Sequence, residues 1–232
     1  MCFVAYIPLD HGFLLGSNRD EHISRPAASM PKQVMLSGKR VLMPVDGKAG
    51  GTWIALREDG VAMVLLNGAF VNHKRKPAYR HSRGIIIPQL MHDENPGPAF
   101  ETMNLQGIEP FTLLLIDGNP LLWRWDGNAL HGDNPDPGKP LCLSSPTLYN
   151  EGQQAMRSQW YFDFLSGEKM MNADGLLQWL TTGSDGDAHT SIVLKRTDGM
   201  ETISSTVVSV GPGDRHMLYS DNMGKRMAAI EW

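Results

Sequence analysis

The chain has 232 residues, 41% of them apolar and 20% charged, and its 21 Lys and Arg against 25 Asp and Glu give a formal net charge of -4. That is enough apolar residue for a buried core, which excludes a disordered chain, and the acidic balance argues against a protein that coats nucleic acid. Two cysteines exclude a disulfide scaffold, and Cys2 and Cys142 make no zinc or redox pair.

The length predicts one domain over residues 1–232. The opening MCFVAYIPLDHGFLL carries no basic leader and is broken by Pro8, Asp10 and His11, so no secretory signal is expected. The apolar runs fall short of the roughly 20 residues that cross a bilayer. The expectation is a cytoplasmic protein without membrane insertion.

In chain order, residues 2–7 and 12–17 read as two strands joined at Asp10-His11-Gly12, followed by the polar cluster Asn18-Arg19-Asp20-Glu21. Residues 52–57 and 61–66 read as a hairpin about the Asp59-Gly60 turn. A helical block spans about 82–104, interrupted by Pro88. A third hairpin is TLLLID and PLLWRW about Gly118-Asn119, with Trp123 and Trp125 on one sheet face. Asn134 to Pro140 reads as a rigid loop.

Asn150 with Gln153 predicts a capped helix whose apolar side is Met156, Trp160, Phe164 and Leu165, ending by Gly167. A second helix covers about 173–180. The chain returns to strands in TSIVLKR, METISSTVVSV and RHMLYS. Blocks of strands alternating with helices predict an α+β layered sandwich rather than a parallel βαβ fold. Residues 111–125 and the terminal strands are candidate edges for dimerisation, which no sequence feature demands, and the oligomeric state stays open.

Cys2 carries the sharpest chemical question. With Met1 removed, its α-amine, of pKa about 7.7–8.0, would accept the proton of its own thiol, of pKa about 8.5, making one residue both base and nucleophile. Arg19 would favour the thiolate, and Asp20 would orient the amine or the Arg. With Met1 retained, no free amine exists. The other reading makes Cys2 a small buried residue of the first strand, with Arg19 and Asp20 paired in a turn.

Met-Cys at the start, an apolar hairpin, Asn18-Arg19-Asp20-Glu21 and Arg25-Pro26 resemble the signature of the NRDE family, also called the transport and Golgi organisation family. Gly50-Gly51-Thr52-Trp53, Leu66-Asn67, Ser82-Arg83-Gly84, Leu143-Ser144-Ser145 and Ser204-Ser205-Thr206-Val207 extend the match in order along nearly the whole chain. The family is in turn similar to the N-terminal-nucleophile hydrolases that cleave bile-salt and penicillin amides. That likeness implies a four-layer αββα sandwich, Cys2 as nucleophile, Arg19 and Asp20 in support, and Asn67 as an oxyanion donor. The chain departs from those hydrolases at one place and from the family's own pattern at another. Ser144 or Ser145 stands where they carry an Asn, and Glu201-Thr202-Ile203 lacks the Arg of family members.

The family resemblance implies handling of a small molecule: haem carried between proteins, and more loosely acyl-coenzyme A or lipid. Haem donor or acceptor proteins would be its partners. The expected ligand contacts are Asn18, Arg19, Asp20, Glu21, Trp53 and Arg83. Lys74, Arg75, Lys76, Arg80 and Arg83, with His73 and His81, form a basic cluster suited to phosphate or to haem propionates, or else a solvated loop. Trp123 and Trp125 would offer a platform for a flat ligand, or pack in the core.

Overall fold

The computed structural model describes residues 3–167, 171–183, 187 and 189–232. The chain begins with Phe3–Leu9 (β1) and Gly12–His22 (β2), then Lys32–Leu36 (β3), Lys39–Met43 (β4), Ile54–Arg57 (β5) and Ala62–Asn67 (β6). A 3-10 turn at Arg83–Ile85 leads into two short helices, Ile86–Met91 (α1) and Pro96–Glu101 (α2). Four strands follow: Phe111–Asp117 (β7), Asn119–Trp125 (β8), Leu130–Asp133 (β9) and Leu141–Ser144 (β10). Glu151–Ser166 (α3) and Ala173–Thr182 (α4) precede the last strands, Met200–Gly211 (β11), Asp214–Asp221 (β12) and Arg226–Glu231 (β13).

Two antiparallel sheets result, one of order β10-β1-β2-β11-β12-β13 and one a meander from β3 to β9. Strand alternation splits their side chains among three apolar layers. Val4, Tyr6 and Leu15 meet Ile54, Val64 and Leu114 between the sheets. Met63, Leu113 and Trp123 face Ile86, Leu90 and Phe100 of the first helix pair. Phe3, Ala5 and Leu14 face Tyr161, Leu176 and Leu180 of the second. Helix, sheet, sheet, helix is the αββα sandwich that the family resemblance implies, and it fits the α+β layering read from the order of strands and helices. β5, β6 and β7 are buried on both faces, which is why they read as unbroken apolar runs.

Local rules explain the element ends. Asn150 accepts from the Gln153 amide while the Gln153 side chain accepts from the Asn150 amide, a complete capping box for α3. Pro88 sits in the first turn of α1, where no intrahelical donor is needed, so the expected helix over 82–104 becomes separate short pieces. Gly16 lets α4 approach: a Cβ there would lie 2.8 Å from Leu180 Cδ1 and 3.0 Å from Leu176 Cδ2. Gly16→Val should therefore overpack this contact and cost about 1–3 kcal/mol, read as a lowered unfolding midpoint in urea.

Several expectations are corrected. The cluster Asn18-Arg19-Asp20-Glu21 is not a turn after a strand but lies inside β2, with Asn18, Arg19 and Asp20 buried. Arg19 and Asp20 therefore point to opposite faces and are not a turn pair. Met156 is exposed, and α3 instead buries Arg157 and Tyr161. Residues 190–196 form no strand beyond an isolated bridge from Lys195 to Glu201. β7 and β8 lie within their sheet, covered by β6 and β9, so residues 111–125 offer no edge. Trp123 and Trp125 share one face as expected, and that face is core, with Trp123 5.1 Å from Phe100.

Candidate functional site

The two-residue alternation of β2 distributes its polar residues to two sides of the first sheet. Asn18 points toward the helices, where its Nδ2 donates to the carbonyls of Leu180 and Ile192, both at 3.0 Å. Asp20 points the same way and accepts from Tyr149 Oη at 2.9 Å and Thr202 Oγ1 at 2.6 Å. Arg19 points to the other side, toward the second sheet. Its Nη2 reaches Asp46 Oδ2 at 2.5 Å, and its guanidinium lies 4.7 Å from the centre of the Trp53 ring.

That side opens into a cleft of about 710 Å³. Arg19, Glu21 and Arg25 line it from β2 and the turn after it, and Trp53 and Asn67 from the second sheet. The remaining wall comes from the loop after β6, including Arg75, Lys76, His81 and Arg83. Backbone packing holds this wall in place. Thr52 N donates to the Gly84 carbonyl at 2.9 Å, and a Cβ on Gly51 would overlap the Gly84 carbonyl. The Gly-Gly-Thr-Trp and Ser-Arg-Gly motifs thus meet as two halves of one contact.

Two carboxylates organise the cations. Asp46 takes Arg19 and, through both its oxygens, Arg25, and accepts the amides of Lys48 and Ala49. Burial pushes the Asp46 carboxyl up, but the Arg25 hydrogen bond, the Ala49 amide and the charges of Arg19 and Arg25 outweigh it, holding it at about 2. Glu109 gathers Arg83 at 3.3 Å, His73 at 3.3 Å and Arg75 at 3.7 Å. Among the described residues the lining still carries six Lys or Arg, completed by Lys48, against Glu21, Asp46 and Glu109. Among the described residues, two lining donors are buried without an acceptor: Arg19 Nη1 and Trp53 Nε1. Such orphans are costly unless something fills them.

Of the residues expected to bind or react, Arg19, Glu21, Trp53, Arg83 and Asn67 line the cleft. Asn18 and Asp20 do not; they brace β2 from beneath. Asn67, at the end of β6, offers its carbonyl to Ser145 Oγ at 2.7 Å. Cys2 lies outside the described residues. In the basic cluster, Arg75, Lys76, His81 and Arg83 reach the cleft, while Arg80 turns its guanidinium to the Asn104 carbonyl. Sequence reasoning missed Asp46 and Glu109, single acids with no motif of their own. It also missed Tyr149, which holds Asp20 and carries Arg157 over its ring at 4.1 Å.

The four-layer sandwich is the fold of the N-terminal-nucleophile hydrolases. The N-acylethanolamine-hydrolyzing acid amidase ortholog of Caenorhabditis elegans superposes with a TM-score of 0.59 at 11% identity, covering 89% of this chain and 92% of that one. A variant of the conjugated bile acid hydrolase of Clostridium perfringens gives 0.54 at 11% identity, covering 99% of this chain and 92% of that one. A second variant of that hydrolase gives 0.51, at 11% identity and with 98% and 92% covered. No curated protein sequence matches. The model of the Transport and Golgi organisation 2 family matches residues 1–160, and the chain belongs to that family.

Proposed function

We propose that this protein is a cytoplasmic, non-enzymatic carrier that holds haem by its propionates in the cleft beside Arg19 and passes it to partner proteins. The observation that carries the reading is the net positive lining together with two buried donors that lack an acceptor. Six cations face three acids in the lining, and Arg19 Nη1 and Trp53 Nε1 are buried with no acceptor. Carboxylates supply what these donors lack, and charge-assisted bonds of this kind are the strong ones. His81 borders the same space with Nδ1 2.9 Å from the Ser82 carbonyl, an arrangement that fixes the ring by one nitrogen, so that its Nε2 would be the nitrogen to hold the iron.

Titration of the purified protein with haem should give a saturable Soret shift. Haem dimethyl ester, which lacks the carboxylates, should bind far less tightly. Trp53→Phe, which deletes the indole N–H but keeps a ring for Arg19, should weaken haem about tenfold. Binding no tighter than to serum albumin, or equal binding of haem and its dimethyl ester, would overturn the reading.

One observation favours a second reading, a Cys2 amidohydrolase acting on a small amide. Phe3 pairs with Asn18 on one side and Ser144 on the other, so the described chain starts beside the buried Asn18-Arg19-Asp20 segment. Intact mass tests the prerequisite. A chain that keeps Met1 quantitatively has no free amine on Cys2 and loses this mechanism, whereas in a processed chain Cys2→Ala should abolish amide turnover.

A further inference from the structure

The loop after β6 supplies Arg75 and Lys76 to the cleft and also carries an exposed apolar tip and further cations that the carrier reading leaves unused. It begins with Phe70 and Val71, 51% and 68% exposed, and runs on through Lys74, Arg75, Lys76 and Arg80, all exposed. No Asp or Glu interrupts residues 68–84, although the whole chain is net acidic. Phe70 keeps one edge against His131 at 5.1 Å and has the Arg124 guanidinium 5.5 Å from its ring centre, which adds a cation beside the apolar tip. Of the acids around it, Glu109 is largely buried and already holds Arg83, His73 and Arg75, and Asp126 is taken by His131 at 2.8 Å.

From this juxtaposition we infer that the loop at residues 70–80 docks the protein onto an anionic lipid surface, with Phe70 and Val71 entering the headgroup layer and the basic residues facing lipid phosphates and carboxylates. An apolar tip backed by clustered Lys and Arg is the chemistry such a surface selects, because burial of the tip and attraction of the cations add together. Neither component alone holds a protein at a bilayer. The same loop walls the cleft through Arg75 and Lys76, so docking brings the cleft entrance to the lipid.

Flotation with vesicles tests the inference without haem, so its failure leaves the carrier reading standing and the reverse also holds. The full chain should float with vesicles of phosphatidylcholine mixed with phosphatidylserine, stay behind with phosphatidylcholine alone, and be released as salt is raised. The double variant Lys74→Glu with Lys76→Glu should reduce binding at least about tenfold. Val71→Ser, which alters an exposed side chain and leaves the fold intact, should weaken it several-fold by removing the apolar component. No binding to the anionic vesicles, equal binding to both vesicle types, or binding that the double lysine variant leaves unchanged would each overturn the inference.

Discussion

Arg157→Ala should destabilise the fold by about 3–5 kcal/mol, the largest loss expected of any single change beneath the cleft. Arg157 is fully buried in the middle of α3, an uncommon place for a guanidinium. Its Nη1 donates to the carbonyls of Thr190, at 2.7 Å, and Ser191, and its plane covers the Tyr149 ring at 4.1 Å and the Phe3 ring at 5.2 Å. Truncation removes the charged donor from the Thr190 and Ser191 carbonyls and opens a void between α3 and the first sheet. The loss extends to the site, because Tyr149 donates to Asp20 and Asp20 lies in β2 next to Arg19. Urea unfolding should show a lower midpoint with an unchanged slope. Arg157→Lys, which retains a donor but not the planar stack, should lose less, and equal losses for the two variants would contradict this account.

Asp46→Asn should produce the second large effect, and its signature lies in the pH dependence. The native carboxyl titrates at about 2 against an ordinary 3.8, so the unfolded chain binds the proton more readily. The charged form therefore contributes about 2 kcal/mol of stability, fully present above about pH 4 and lost as the pH falls to about 2. In the variant that contribution is absent at neutral pH. Its stability should consequently fall less steeply between those limits than that of the parent, and parallel acid profiles would remove Asp46 from the explanation. Haem affinity should change with it, because Asp46 fixes the position of both Arg19 and Arg25.

Where local rules suffice, the sequence was a good guide. The Asp59-Gly60 turn between two apolar runs and the Asn150 capping box both define their elements through neighbours a few residues away, and both stand in the structure. Residues 190–196 show the limit. Their β-favouring composition predicts a strand, yet the Thr190 and Ser191 carbonyls go to Arg157, the Ile192 carbonyl goes to Asn18, and the Leu194 amide takes Thr202 Oγ1 at 2.7 Å. Side chains from elsewhere in the chain take the groups that a sheet ladder would need. The same holds for α3, where helical spacing placed Met156 inward. The aromatic rings of Tyr149 and Phe3 make the neighbouring Arg157 the buried residue instead.

Length, composition and charge bounded the protein as a mildly acidic chain with a core and without a disulfide framework, and the ordered motifs pointed to its family and sandwich fold. Those features depend on counts and on short-range order, which a sequence states directly. Which side each residue of Asn18-Arg19-Asp20 serves, and that Asp46 and Glu109 gather the cations of the cleft, was decided by tertiary structure. Both depend on strand pairing and on loops that meet across long stretches of chain, as when Gly51 packs on Gly84. The net charge is the plainest case: the whole chain sums to -4, while folding collects six of its cations around one cleft.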